Sequence, residues 1–535
     1  MDFKRLDDDV LEMVLATLKD FMATEAPLEK RLEWDKEDVC PEDVVRKMIG
    51  PEIGLHLVFV PEEYEGLGGG AWDLYKMCTL FAELDLGMAT SMLAIALGTD
   101  PIRVGCTDEQ KKKWMTKIAT DGLVVAYAVT EPEAGSNVEN LKTKAEQVTD
   151  DAGNVTHYRL RGVKQFISNG AIADLYTVLA RAPGGPTFFV VEKGAEGLSS
   201  GKQEEKHGIR LSNTSQVILD DVVIPASNII GEGEGHGIKQ SNEVFGYTRL
   251  MVAAFGLGCG QVALDRAVAY SKERLQFGTP LSEKQGFTHK LLVPHSVRLA
   301  AARAYIEYVS NLLDSGDFDR QVEGSIAKLF ATEEGNVAAD HAVQALGGYG
   351  YCTEYEVEKI RRDARILTIY EGTSEIQQNI IGVFRMRQDF RSKGAFYGEM
   401  ADSVAGLEHV GGDAVAHTAR FLSKCARATF KKKLTKQQHA LFELAWAMAE
   451  CEVAVALCQA AAEKGDDLLA AQARLFSAEV RLSVPARLLK IFAGSGVLDE
   501  EEMADFVAEA DLNDAVARQA GTLADMDFVA RTITA

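Results

Sequence analysis

Apolar residues recur at three-to-four spacing over the first part of the chain, at Val10, Leu11, Val14, Leu15 and Leu18, and again at Leu74, Met77, Cys78, Phe81 and Leu84. That is the period of helices burying one face, so residues 7–122 are expected to be helical, with Pro51 and Pro61 as breaks. Near Leu123 the pattern changes to short apolar runs bounded by turn residues. Residues 124–130, 158–167, 175–181, 188–191 and 216–224 read as strands, parted by Asp151-Ala-Gly-Asn154, Pro183-Gly-Gly-Pro186 and Gly194-Ala-Glu-Gly197. No helical stretch lies between them, which predicts an antiparallel β domain in place of alternating βαβ units.

Helical periodicity returns after Gly231-Glu-Gly-Glu-Gly-His-Gly237 and holds to the last residue. Residues 253–274, 297–313 and 325–346 are each long enough for one helix. A break is expected near Arg391-Ser-Lys-Gly-Ala395, and the alanine-rich stretches 441–462 and 468–492 read as a further bundle. The predicted class is α+β, mainly α. It comprises an N-terminal helical domain (1–122), a β domain (123–235), a helical bundle domain (236–390) and a C-terminal helical extension (391–535).

Charge and cysteine usage narrow the function classes. The 535 residues include 57 basic and 80 acidic side chains, a net charge of −23, which repels phosphate backbones and argues against nucleic-acid binding. The eight cysteines are scattered with no CxxC pair, as expected of reduced thiols in a cytoplasmic protein without a structural metal. The acidic start Met1-Asp-Phe-Lys-Arg-Leu lacks the apolar core of a secretion signal, and no uninterrupted apolar run reaches the ~18 residues of an integral membrane segment. Lys431-Lys-Lys433 reads as a solvated face.

Several motifs carry candidate chemistry. Gly66-Leu-Gly-Gly-Gly-Ala71, followed by Glu83 and Asp85, satisfies a dinucleotide fingerprint, but Pro61-Glu-Glu-Tyr-Glu65 intervenes where a strand must lead in, and no parallel strand follows. It reads as a mimic, and Gly231–Gly237 as a linker. In Tyr127-Ala-Val-Thr-Glu-Pro-Glu-Ala-Gly-Ser-Asn137 a strand ends in a Pro/Gly turn bearing two hydroxyls and two carboxylates. This suits a polar ligand edge, though an ordinary acidic turn is the commoner origin of such a segment. Ser374-x-x-Gln377 fits a capping box, which starts a helix at Ser374 and leaves Glu371 just outside it, after the apolar Ile366, Leu367, Ile369 and Tyr370. There Glu371 is either a desolvated carboxylate with a raised pKa, poised as a general base, or an exposed loop residue. Arg274, in Glu273-Arg-Leu-Gln-Phe-Gly278, is either a pyrophosphate partner or a surface charge.

Taken in this order, the segments resemble the acyl-CoA dehydrogenase family of flavoproteins over roughly residues 7–386. Both family signatures are present, Ala128-Val-Thr-Glu-Pro-Glu-Ala-Gly-Ser-Asn137 and the stretch from Gln344-x-x-Gly-Gly-x-Gly350 to Asp363, together with Glu-Arg-x-Gln-Phe-Gly278 and Ile-Tyr-Glu-Gly-Thr-Ser-Glu375. The resemblance implies that FAD takes a hydride from the β carbon of an acyl-CoA thioester while Glu371 removes an α proton, leaving a 2-enoyl-CoA. It also implies that the thioester oxygen is held by the Glu371 N–H and a ribityl hydroxyl. A family variant with its base on an earlier helix needs an acid near Arg249, where this chain has Gly246-Tyr-Thr-Arg249. By the same resemblance Tyr127, Ala128, Val129, Thr130, Ser136, Phe166, Ile167 and Ser168 contact the flavin, with Thr373, Ser374 and Glu375 at the helix start. Arg274, Gln276, Gln285, Gln344 and Gly348 approach the FAD of a neighbouring subunit. Ser136, Tyr247, Arg249 and Gly372 match thioester or CoA contacts, and Met92, Leu93, Ile95 and Ala96 form the acyl wall.

Asn137, Phe166 and Ser168 stand where aspartate, tryptophan and threonine are common in the family, and Gly246 replaces an aspartate that touches CoA in some relatives. The apolar wall carries no arginine for a second carboxylate, which argues against a dicarboxylyl-CoA. The extension resembles that of longer, very-long-chain-like members, which favours a homodimer over a homotetramer. Electron-transferring flavoprotein is the implied electron acceptor. Two other readings share the fold: a flavin oxidase or decarboxylating relative, and a non-catalytic helical interaction protein.

Overall fold

The protein is described by a computed structural model covering residues 4–316 and 320–535, with the side chain of Tyr247 outside the described set. It divides into two compact units, Met1–Met251 with Ser310–Arg320, and Val252–Val309 with Gln321–Ala535.

The first unit opens with six helices: α1 (Asp8–Glu25), α2 (Leu28–Glu37), α3 (Glu42–Met48), α4 (Ala71–Leu84), α5 (Leu86–Gly105) and α6 (Asp108–Asp121). Their starts follow from local chemistry. The Asp85 carboxylate accepts the Met88 N–H at the head of α5, and Thr107 with Gln110 forms a reciprocal capping box on α6. Helix α5 is apolar almost all round because it lies inside the unit. A Cβ at Gly98 would sit 2.8 Å from a Val125 methyl, so this glycine lets the helix rest on the first strand.

Seven strands form one sheet: β1 (Val125–Ala128), β2 (Lys144–Thr149), β3 (Val155–Ser168), β4 (Leu175–Ala182), β5 (Gly185–Glu192), β6 (Leu198–Ser200) and β7 (Thr214–Pro225). The order is β1-β4-β2-β3-β7-β6, with β5 paired to β4. Most pairs are antiparallel, as expected, but β1 lies parallel to β4 and β2 meets β4 in parallel at one pair. The β2–β3 hairpin supplies the long crossover that a parallel neighbour requires. Strands β2 and β6 escape a reading from apolar runs: β2 buries only Ala145 well and β6 has three residues.

The glycine-rich segment after β7 braces the sheet. Glu234 accepts the Tyr158 hydroxyl (2.7 Å) and the Gln147 amide (2.8 Å), while Gln110 bonds the Ile229 carbonyl and the Gly231 N–H. Helix α7 (Gly237–Glu273) starts 16 residues before the position that periodicity indicated. Its most apolar window reaches a mean hydropathy of 1.2, enough by length and composition to cross a membrane, yet 78% of that window is buried inside the protein. Among the described residues it is the one helix that passes this test, and its burial makes it a core helix.

The second unit contains the rest of α7, α8 (Gln285–Leu291), most of α9 (Val293–Asp314), α10 (Gln321–Leu346), α11 (Glu356–Ala364) and α12 (Ser374–Arg391). The extension adds α13 (Ala395–Val404), α14 (Gly412–Lys431), α15 (Gln438–Lys464), α16 (Asp467–Ser495), α17 (Glu500–Ala510), α18 (Leu512–Ala517) and α19 (Thr522–Thr534). Lys393 and Gly394, both at positive φ, make the break between α12 and α13. The extension is sealed to the bundle by buried charge. Arg385 on α12 bonds Glu452 on α15 (2.9 Å) and Glu323 on α10 (2.9 Å), and the Tyr397 hydroxyl donates to Glu452 (3.1 Å). All eight cysteines are free thiols, six of them buried.

Candidate functional site

The first unit presents one group of expected site residues at the exit of β1. Ala128 and Val129 are buried, Tyr127 and Thr130 are half-buried, and Ser136 is exposed. The two carboxylates of this turn part company. Glu133 faces solvent, whereas Glu131 turns inward, 4% exposed, and meets the fully buried Lys164 ammonium at 2.7 Å. Glu131 also accepts the backbone N–H groups of Lys142 and Thr143, and Lys164 donates to the Val129 carbonyl at 3.1 Å. Burial opposes ionisation of Glu131, but the Lys164 charge and these donors outweigh it and hold the carboxyl below its usual value. Burial pulls the Lys164 ammonium down to about 8, still protonated at neutral pH, with Glu131 opposing the fall. One of the two carboxylates read as a ligand edge is therefore a structural bolt beneath it.

Alongside, the β3–β7 register slips between Lys164 and Ile167. In that bulge the Gln165 N–H bonds the Thr130 carbonyl (2.9 Å) and Phe166 adopts φ +57°, with its ring 64% exposed. A bulky residue in the left-handed region that also leaves its ring uncovered carries strain and lost burial together, a pattern associated with binding positions. Ile167 is buried and Ser168 half-buried. Met92, Leu93, Ile95 and Ala96 all lie in the buried interior of α5, and Arg249 is buried on α7. Tyr247 is expected to contact substrate, but its side chain lies outside the described residues.

Gly66–Ala71 is a packing device. The segment is entered from a short 3-10 turn (Glu62–Tyr64), and α4 runs on to α5 with no strand between them. A Cβ at Gly66 would fall 1.8 Å from the Val60 carbonyl oxygen. The head of α4, where a phosphate would dock, already holds the Asp314 carboxylate, bonded to the N–H groups of Ala71 (2.6 Å) and Trp72 (3.2 Å).

The second unit presents the Glu371 loop. Helix α12 starts at Ser374 as expected, but its cap is Thr373, whose hydroxyl accepts the Ile376 N–H. Ser374 is already the first helical residue, and its hydroxyl donates to Glu333 at 2.5 Å. The Gln377 amide, expected in the capping box, donates instead to the carbonyls of Glu371 (3.0 Å) and Gly372 (2.9 Å). Lys328 on α10 is fully buried and donates to the Gly372 carbonyl at 2.8 Å. Glu371 sits at φ +54° and Gly372 at φ +88°, with the glutamate half-buried. Of the apolar residues before it, Leu367 is buried and Ile369 is 48% exposed, so the surroundings of Glu371 are less enclosed than the sequence pattern implied.

In the same unit Arg274 precedes, and Gln276 lies within, a two-stranded hairpin, β8 (Leu275–Gln276) and β9 (Thr279–Pro280). Its turn residues Phe277 and Gly278 both have positive φ, as a primed turn requires, and Phe277 is 96% exposed. Gln344 and Gly348 are exposed, and Arg274 lies over Tyr349 at 6.0 Å. Gln285 donates to Asp527 of the extension at 3.2 Å. A cavity of about 320 Å³, lined in part by Asp265, Arg303, Glu307 and Lys464, includes none of the expected site residues.

Sequence reasoning missed Lys328, Gln377 as a carbonyl anchor, and the Glu131–Lys164 pair. The available signal for Lys328 was one charge inside the apolar run Ile326-Ala-Lys-Leu-Phe-Ala331.

Comparison with known proteins bears on these positions. Residues 8–121, 126–222 and 235–384 match the N-terminal, middle and C-terminal domains of acyl-CoA dehydrogenase. An acyl-CoA dehydrogenase of Bacillus subtilis (strain 168) is 36% identical over 380 residues, which cover 70% of this chain and 97% of that one. Among solved structures, the acyl-CoA dehydrogenase of Bacillus anthracis complexed with FAD matches with a TM-score of 0.87 at 25% identity, covering 99% of this chain and 95% of that one, extension included. Butyryl-CoA dehydrogenase of Megasphaera elsdenii matches with a TM-score of 0.64 at 33% identity over 70% of this chain and 97% of its own.

Proposed function

The chain belongs to the acyl-CoA dehydrogenase family, and on that premise we propose that it desaturates an acyl-CoA thioester to the 2-enoyl-CoA with Glu371 as the base. It is an FAD-dependent oxidoreductase. The residues present fit the cofactor. In the first unit Phe166 is 64% exposed and Thr130, Ser136 and Ser168 offer hydroxyls; in the second, the Thr373-capped head of an 18-residue helix offers backbone donors. When bound, FAD supplies the acceptor for the β-hydride.

The chain's own part is proton removal and positioning. The observation that carries the reading is the conformation of Glu371, a non-glycine residue held at φ +54° with its own carbonyl and the next one tied inward by Gln377 and Lys328. A left-handed glutamate costs energy that a solvated loop would release, so the fold fixes the backbone that carries this carboxylate. A carboxylate carried there, at a helix mouth, can take the α proton of a thioester, and its backbone N–H can support the enolate oxygen. Met92, Leu93 and Ala96 supply apolar surface for the acyl chain, while Ser136, Arg249 and Gly372 serve its CoA end.

We further propose a homodimer in which Arg274, Gln276, Gln285, Gln344 and Gly348 reach the partner's FAD. Leu275, Phe277, Tyr349 and Tyr351, interleaved with them, are 61%, 96%, 45% and 86% exposed. Apolar exposure of that extent is an unpaid solvation cost in a monomer. The electron acceptor in this reading is an electron-transferring flavoprotein, and the compartment is the cytoplasm.

The test is an anaerobic visible titration of the purified holoprotein with saturated acyl-CoAs of increasing chain length. Bleaching of the flavin band by one of them, with 2-enoyl-CoA recovered, supports the reading. A flavin that no thioester reduces overturns it.

A further inference from the structure

Lys328 is fully buried on α10, and its Nζ reaches the Gly372 carbonyl at 2.8 Å, one residue from the base. Gln377, also fully buried, spends both amide hydrogens on the carbonyls of Glu371 and Gly372, while its Oε1 is buried with no partner among the described residues. An amide that leaves its acceptor unsatisfied to make two donor bonds to one loop is placed for those bonds. A Cβ at Gly372 would lie 2.7 Å from Gln377 Nε2, so the glycine admits the clamp as well as the φ of +88°.

We propose that Lys328 and Gln377 are positioning residues for Glu371, holding its left-handed backbone from beneath and, through the Lys328 charge, setting the pH at which the carboxylate works. The inference rests on Glu371 being the base. Three carbonyl bonds oppose the relaxation of residues 371–372 toward the ordinary right-handed region. Among the described residues, charged groups near this point include Glu333 on α10, tied to Ser374, Arg365 on the turn before the loop, and Glu375 in the first turn of α12. Glu375 is held below its usual range by its own backbone N–H and the Thr373 hydroxyl, with smaller contributions from Lys328 and Arg365. Lys328, bonded to the Gly372 carbonyl, is thus a buried cation one residue from Glu371.

Two variants separate geometry from charge, each read in the FAD-loaded protein by single-turnover flavin reduction against pH. Lys328→Met keeps the apolar stem and removes the cation. A misplaced base slows reduction on the order of 100-fold, and loss of a neighbouring positive charge moves the acid limb of the profile up by about one pH unit. Gln377→Leu removes two carbonyl bonds and leaves every charge in place, so the rate falls while the limb stays where it is. Acyl-CoA binding persists in both, which distinguishes lost positioning from lost structure. Reduction at the wild-type rate with an unmoved limb in Lys328→Met, or an unchanged rate in Gln377→Leu, overturns the proposal. Wild-type protein that no acyl-CoA reduces refutes the function reading itself, a separate outcome.

Discussion

Glu131→Gln tests how the sheet supports the turn at the exit of β1. Glu131 and Lys164 are 4% and 0% exposed, and their charges meet at 2.7 Å. At an effective dielectric constant of 20 that contact is worth about 6 kcal/mol of gross attraction, which offsets the cost of burying both ions. Glutamine keeps the volume but deletes the negative charge, and its NH2 group must face either the Lys142 N–H or the Thr143 N–H and Lys164 ammonium, leaving donor against donor in both cases. Burial already pulls Lys164 down to about 8 with its partner in place, so the uncompensated ammonium dominates the loss. Breaking one half of such a pair costs about 3–5 kcal/mol. The assay is urea unfolding followed by far-ultraviolet circular dichroism and flavin release, because Lys164 also holds the Val129 carbonyl next to Thr130. The apolar double variant Glu131→Leu/Lys164→Met should regain most of the stability lost by the single change. Acid adds a second reading. Because the folded-state pKa of Glu131 is depressed below 4.5, its contribution is present above that value and is lost as pH falls through the lowered pKa. Wild type should therefore lose stability on acidification more steeply than Glu131→Gln. A single variant within about 1 kcal/mol of wild type, or a double variant as unstable as the sum of its parts, refutes the reasoning.

Gly66→Ala should destabilise the first unit by about 1–3 kcal/mol through overpacking against Val60, leaving FAD content unchanged; loss of cofactor with normal stability would restore the phosphate-loop reading. Replacing Phe277 and Tyr351 with serine should shift the protein from dimer to monomer in sedimentation equilibrium and speed FAD loss on dilution. A dimer as tight as wild type would remove that face from the interface.

What the sequence revealed depended on whether the controlling force was periodic or private to a few atoms. Helices such as α15 and α16 were legible because long apolar faces recur every turn. Strand β2 was not, since Lys144–Thr149 buries little beyond Ala145. The parallel β1–β4 pair has no local signature, because it arises from where the β2–β3 hairpin lies. At the site, the motifs located the Glu371 loop and the strand exit, and the helix start at Ser374 was read correctly. The cap moved one residue because Thr373, not Ser374, takes the extended backbone of a cap. The inward turn of Glu131 was hidden because its partner is 33 residues away, on β3.

The account stands or falls on the role of Glu371. Oxygen-free wild type and Glu371→Gln, both loaded with FAD, are mixed rapidly with the acyl-CoA that wild type prefers, and the flavin band is followed. The account predicts that the variant binds the thioester but reduces its flavin about 10²–10⁴-fold more slowly, the loss expected of a missing general base. Flavin reduction in Glu371→Gln at close to the wild-type rate would contradict it.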